Sequence, residues 1–185
     1  MIDPFEEEKA LIQACQRGEE KAYWTLVERY QNRAYWAAYN FVRNREDAQD
    51  IVQEAFVRVY KNIQRFHLDK TFETWLYRIV VNLAIDALRK RKIQKNQSVE
   101  ELPEVESTES ADHSLEREES SQQIYKVLDQ LPEKYRQILT LRDLEGLSSK
   151  QISEILGYNH ATIRWYLHIA RKMFKAHWVR LHPES

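Results

Sequence analysis

The sequence predicts an all-α protein: two helical domains joined by a flexible acidic linker, the second domain containing a helix-turn-helix. Three observations carry that expectation. Apolar residues recur at three-four spacing along most of the chain and never alternate strictly. Only three of 185 residues are glycine, too few for a turn-dense sheet fold or a Gly-rich phosphate loop. One central stretch lacks both that spacing and any aromatic residue.

Phe5 to Arg17 reads as a short amphipathic helix ending at Gly18. A long helix follows from Glu20 to about Arg43, with Tyr23, Leu26, Val27, Tyr30, Ala34, Ala37, Ala38 and Phe41 on one face. Asn44 and the acids Glu46 and Asp47 mark the start of a third helix. It runs to about Ile63, with Ile51, Val52, Ala55, Phe56 and Val59 inside. Gln64 to Lys70 breaks the period. Thr71 is placed to cap a fourth helix carrying Trp75, Leu76, Ile79, Val80, Leu83, Ala84 and Leu88, which ends in the run Arg89 to Lys92.

Residues 94–116, rich in Glu and Ser and holding Pro103, cannot bury enough apolar surface to offset their ordering entropy. They are read as the linker between domains at 1–93 and 117–185. The second domain's helical pattern emerges near Leu115, and Ile124, Val127, Leu128 and Leu131 form its first stripe. Pro132 opens the next helix at its first turn, Tyr135, Ile138, Leu139 and Leu141 follow, and Gly146 stops it. Ser148 to Gln151 is a capping-box pattern before Ile152, Ile155 and Leu156. Gly157 makes a turn, and a last helix spans about Ala161 to Val179.

The formal charge of −1 hides a division. Residues 94–123 hold two basic and nine acidic side chains, whereas 124–185 hold ten basic and six acidic ones. Such asymmetry fits a polyanion-binding module, or simply solvated faces of varying charge. One cysteine excludes an intrachain disulfide framework and a multi-Cys zinc site, and Cys15, beside Leu11 and Ile12, reads as a small core residue. The six histidines are scattered, and no H-E-x-x-H, G-x-S-x-G or Walker loop is present. No metal, no cofactor and no enzymatic activity are therefore expected. No apolar run is long enough for a membrane span, and the start MIDPFEEEKA is unlike a signal peptide, so the expected compartment is the cytoplasm.

Two surfaces have the chemistry of nucleic-acid binding. In the helix-turn-helix, Ile163, Leu167 and Ala170 face inward. That leaves His160, Thr162, Arg164, Trp165, His168, Arg171, Lys172 and Lys175 outside. From Ser148 to Arg180 six basic residues stand against Glu154 alone. Polar groups at the helix start suit base edges, and basic ones suit phosphates. The plainer reading is a helical hairpin with a solvated basic face. In the first domain Asn82, Asp86 and Arg89 share a helix face next to Lys90, and the loop Phe66, His67, Lys70, Thr71 beside it has the makings of a receptacle for an unstacked base. Phe72 and Trp75 read better as core. A third surface is different: Glu46, Asp47, Asp50, Gln53 and Glu54 make an acidic stripe that repels DNA and would attract a basic protein, or is simply solvated.

These residues resemble a known family. DAQDIVQEAF at 47–56, TWLYRI at 74–79 and NLAIDALR at 82–89 look like region 2 of bacterial extracytoplasmic-function (group IV) sigma factors. LPEKYRQIL at 131–139 and LSSKQISEILG at 147–157 look like their region 4. The resemblance covers both domains in order. It implies a promoter-specificity subunit of RNA polymerase. Asp47, Asp50, Gln53 and Glu54 would dock on the polymerase clamp. Asn82, Asp86, Arg89 and Lys90, with a base pocket at Phe66, His67, Lys70 and Thr71, would read and help open the −10 element. Region 4 would sit on the polymerase flap and put His160 to Lys172 in the −35 major groove. An anti-sigma factor is implied as a further partner. The chain departs from the family at Val81, where Arg is frequent, and at Trp165 and Tyr166, which are bulkier than usual. A dimeric helix-turn-helix regulator with a helical sensor domain is the competing reading; it would bind palindromic duplex DNA without polymerase.

Overall fold

The computed structural model describes residues 4–97 and 115–183, and the described residues are helical without a strand. Contacts divide the chain into two units, 1–104 and 105–185. Most of the expected linker, residues 98–114, lies outside the described residues.

The first unit comprises α1 (Pro4–Gln16), α2 (Glu20–Val42), α3 (Arg45–Asn62), a short 3-10 turn (Ile63–Arg65) and α4 (Phe72–Gln97). α2 is central and packs against α1, α3 and α4. Ala34, Ala37 and Ala38 are fully buried on it, and their small side chains let the neighbouring helices come close. Leu26, Val59, Phe72, Leu76, Val80 and Val81 complete the dry centre. Fully burying side chains of the larger kinds contributes about 1.5–3 kcal/mol each. Cys15 is buried here, as expected, and burial pushes its thiol pKa up. Tyr23 donates its hydroxyl to the Phe56 carbonyl at 2.7 Å. Burial pushes that phenol up to about 12, so it remains a donor at neutral pH.

The turn from α2 to α3 is tight. Arg43 takes a left-handed conformation, φ 56°, and donates its N–H to the Tyr39 carbonyl at 2.9 Å. Asn44 then caps α3 by accepting the Asp47 N–H at 2.9 Å. α4 begins where the sequence places it, with the Thr71 carbonyl accepting from the Trp75 N–H at 3.2 Å. It does not stop at the basic run. It continues through Gln97, because residues 93–97 contain no Gly or Pro to end it.

The second unit comprises α5 (Leu115–Asp129), α6 (Glu133–Leu139), a π-helical turn (Thr140–Leu144), α7 (Ser149–Leu156) and α8 (His160–Leu181). Pro132 stands at the N-cap of α6, one residue earlier than expected. The expected single helix up to Gly146 in fact leaves α geometry after Leu139 and widens into the π turn. Ser148 and Gln151 form the expected capping box. The Ser148 Oγ accepts the Gln151 N–H at 3.2 Å, and the Gln151 Oε1 accepts the Ser148 N–H at 2.9 Å. Gly157, at φ 75°, supplies the left-handed turn between α7 and α8.

Candidate nucleic-acid and polymerase interfaces

The loop between α3 and α4 is fixed from below. Gln16, at the end of α1, donates its amide to the carbonyls of Ile63 at 3.0 Å and Phe66 at 2.9 Å. Gln64 donates back to the Gln16 carbonyl at 2.9 Å. Phe66 is only 7% exposed; its ring lies 5.0 Å from Trp75 and 5.8 Å from Phe72. It is therefore a wall beneath the loop rather than an open stacking face. Phe72 is fully buried, as expected, while Trp75 is half-buried at the edge of the same cluster. His67, Lys70 and Thr71 are exposed, and a tight turn joins them through the Lys70 N–H and the His67 carbonyl at 3.0 Å.

Along α4, Asn82, Asp86, Arg89 and Lys90 all face solvent. Arg89 and Asp86 form a loose ion pair at 3.8 Å, too exposed to hold either one strongly. Arg78, one turn before Asn82 on the same side, is also exposed and joins this face. Its i,i+4 spacing from Asn82 was the available signal. Val81 is fully buried, so this position packs the core and offers nothing to a phosphate.

α3 turns its acidic stripe outward. Asp50, Gln53 and Glu54 are exposed, and Glu54 pairs with Arg58 at 2.8 Å. Asp47 differs: it is half-buried and ion-paired with Arg91 of α4. It ties two helices together as well as bordering the stripe.

On α8, Ile163, Leu167 and Ala170 are buried, as the period requires. Trp165, His168 and Lys172 lie on the opposite side and are exposed, Trp165 to 59%. His160 and Arg164 are exposed as well; Thr162 is half-buried, its N–H taken by the Asn159 side chain at 2.7 Å. That N-cap was readable from Asn159 immediately before the helix. Tyr166 turns back into its unit. Its ring packs against Tyr135 and Tyr158 at 5.6 and 5.5 Å, and Lys134 Nζ sits 4.7 Å from its centre. The two bulky departures thus separate: Tyr166 packs the unit together, and Trp165 is offered to solvent.

Arg171 is not free on the outer face. Asp143 of the π turn accepts from its Nη2 at 2.6 Å and its Nε at 3.3 Å. That hydrogen-bonded carboxylate raises its pKa further. Arg171 and Lys175 also edge a largely apolar groove of about 540 Å³, walled by Ile124 and Leu128 of α5 and Phe174 and Trp178 of α8. Among the described residues no cluster of His, Cys, Asp and Glu could hold a metal ion, and no helix is long and apolar enough to cross a membrane.

Two stretches of the chain match known families. The family model for sigma-70 region 2 matches residues 26–93, and that for sigma-70 region 4 matches 121–174. The RNA polymerase sigma-H factor of Pseudomonas aeruginosa is 33% identical over 176 residues, covering 90% of this chain and 91% of its own. The ECF RNA polymerase sigma factor SigW of Bacillus subtilis is 35% identical over 149 residues, covering 74% and 78%. A solved structure of CnrH in complex with the cytosolic domain of CnrY shares the fold, with a TM-score of 0.71 and 22% identity, over 96% of this chain and 98% of that one. The sigma factor RpoE of Bartonella quintana, solved with the anti-sigma factor NepR, has a TM-score of 0.70 and 20% identity, over 85% and 96%. With an acid-faced α3 ahead of a base-faced helix-turn-helix, and both regions matched in order, this chain belongs to the extracytoplasmic-function sigma factors of the sigma-70 family, which direct RNA polymerase to promoters.

Proposed function

We propose that this sigma factor uses three separate surfaces for its three tasks. The exposed face of α3, Asp50, Gln53 and Glu54, bordered by Asp47, docks on the clamp of core RNA polymerase. The loop His67, Lys70, Thr71, backed by Phe66, receives a base of the −10 element, and Asn82, Asp86, Arg89 and Lys90 line the adjoining strand. His160, Thr162, Arg164, Trp165, His168 and Lys172 of α8 read the −35 element, with Arg171 supporting them from the flank, while region 4 rests on the flap. One observation carries the reading: the outward face of α3 is acidic and that of α8 is basic, so the two cannot serve the same ligand.

The working units are residues 1–93 and 117–185, with 94–116 as the tether between them. The chain acts in the cytoplasm, where the polymerase is, and performs no catalytic step of its own. An anti-sigma factor is a further partner; the complex of the sigma factor RpoE with the anti-sigma factor NepR supports that class of partner. The test is reconstitution. The purified chain mixed with core polymerase and genomic fragments should give discrete transcript starts downstream of a two-part, non-palindromic sequence. Tight binding of the chain alone to a symmetric operator, with no effect on polymerase, would favour the dimeric regulator and overturn the proposal.

Lys172 supplies a simpler check on α8. It is exposed on the side away from the core, so Lys172→Ala should weaken upstream promoter binding and reduce the slope of log affinity against log salt by about one. Titration across a salt series measures this directly. An unaltered slope would remove Lys172 from the phosphate contacts.

A further inference from the structure

The π turn at 140–144 sends one side chain to the segment leading into α7 and the next to α8. Arg142 donates from Nη1 to the Leu147 carbonyl at 2.9 Å, immediately before the capping box of α7. Asp143 takes the fork of Arg171 on α8. The turn is closed on itself by the Glu145 N–H to the Thr140 carbonyl and the Leu147 N–H to the Leu141 carbonyl, both at 3.0 Å. Between α7 and α8 themselves the only covalent link is the short stretch Gly157 to Asn159. We propose that Asp143 is a positioning residue for the recognition helix, and that the π turn is a bracket setting the angle at which α8 meets DNA. The proposal rests on the −35 reading of α8.

Three physical points support it. π-helical turns are rare and often found at functional positions. The guanidinium is planar, and two of its N–H groups reach one carboxylate, which fixes direction as well as distance. The pair is also half-exposed, so its contribution to stability is small, and its main effect is geometric.

The lever arm is long. His160 lies eleven residues before Arg171, about 16 Å along the helix axis. A tilt of about 5° at Arg171 therefore moves the leading turn by about 1.4 Å, enough to break a hydrogen bond to a base edge. Loosening the bracket should cost sequence discrimination more than general DNA affinity.

The test uses the full chain bound to core polymerase. The probes are an upstream duplex selected from a random pool by the wild-type holoenzyme and a scrambled duplex of the same length. Asp143→Asn is expected to lower the ratio of selected to scrambled affinity about tenfold, with a melting temperature within about 3 °C of wild type. The swap of Asp143→Arg with Arg171→Asp is expected to restore the ratio. Lys172→Ala should weaken both duplexes alike. An unchanged ratio in Asp143→Asn overturns the positioning role. So does a swap that fails to restore it while Arg171→Ala weakens both duplexes equally, since Arg171 would then be a direct phosphate contact. If Lys172→Ala alters neither duplex, Lys172 alone leaves the phosphate contacts; if the wild-type holoenzyme selects no upstream duplex from the pool, the −35 reading itself fails, a result separable from the other two.

Discussion

Reversing two charges on α3, Asp50→Arg with Glu54→Arg, is expected to abolish co-purification of the chain with core RNA polymerase, a loss of about a hundredfold or more in affinity. Both side chains are exposed and lie one turn apart on the same face, so the change turns the centre of the acidic stripe basic. The fold should survive. The only described ion pair broken is Glu54 with Arg58, half-exposed at 2.8 Å, and pairs of that kind contribute about 0–1 kcal/mol. Far-UV circular dichroism and the melting curve of the double variant should therefore match wild type. Undiminished co-purification would falsify the assignment of α3 to polymerase. Asp47 is a poor choice for the same experiment. Its pairing with Arg91 holds α3 against α4, so a variant there would confuse lost docking with a loosened unit.

Phe72→Ala is the substitution expected to cost most in stability. The ring is fully buried at the first residue of α4 and meets Tyr30 at 5.0 Å and both Phe66 and Trp75 at 5.8 Å. Truncating such a ring costs about 3–5 kcal/mol, a large share of the roughly 5–15 kcal/mol that holds a domain together. Urea unfolding of the full chain should show the first unit's transition moved to much lower denaturant. Promoter opening should fail with it, because the cluster supports the loop of His67, Lys70 and Thr71. His67→Ala, at an exposed site, should leave stability within about 0.5 kcal/mol while still impairing opening. A Phe72→Ala midpoint equal to wild type would mean that the aromatic cluster is not what supports the loop.

The contrast between Phe66 and Phe72 shows where local reading ends. Phe72 falls on a helical period, and its burial follows from spacing. Phe66 lies in a break of the pattern, and nothing local distinguishes an open stacking face from a buried wall. Its carbonyl is held by Gln16 of α1, 50 residues away, while its ring packs on Phe72 and Trp75 of α4. Val81 makes the same point from the other side: its place on the buried face of α4 follows from the helix's orientation between α2 and α3. Arg171 is the clearest case. Charge and spacing place it on the exposed side of α8, but only the fold shows that Asp143, 28 residues earlier, holds its fork.

The sequence by itself determined the helical class, the places where the helices start, the Ser148 capping box, the Gly157 turn and the opposite charges of α3 and α8. These depend on neighbours within a turn or two, and helical periodicity, capping and composition are local quantities. Tertiary structure alone decided the burial of Phe66, the tie between Asp47 and Arg91, the inward turn of Tyr166 and the bracket that Asp143 makes on the recognition helix. Each depends on which distant groups packing brings within bonding distance, and no short window of residues contains both partners.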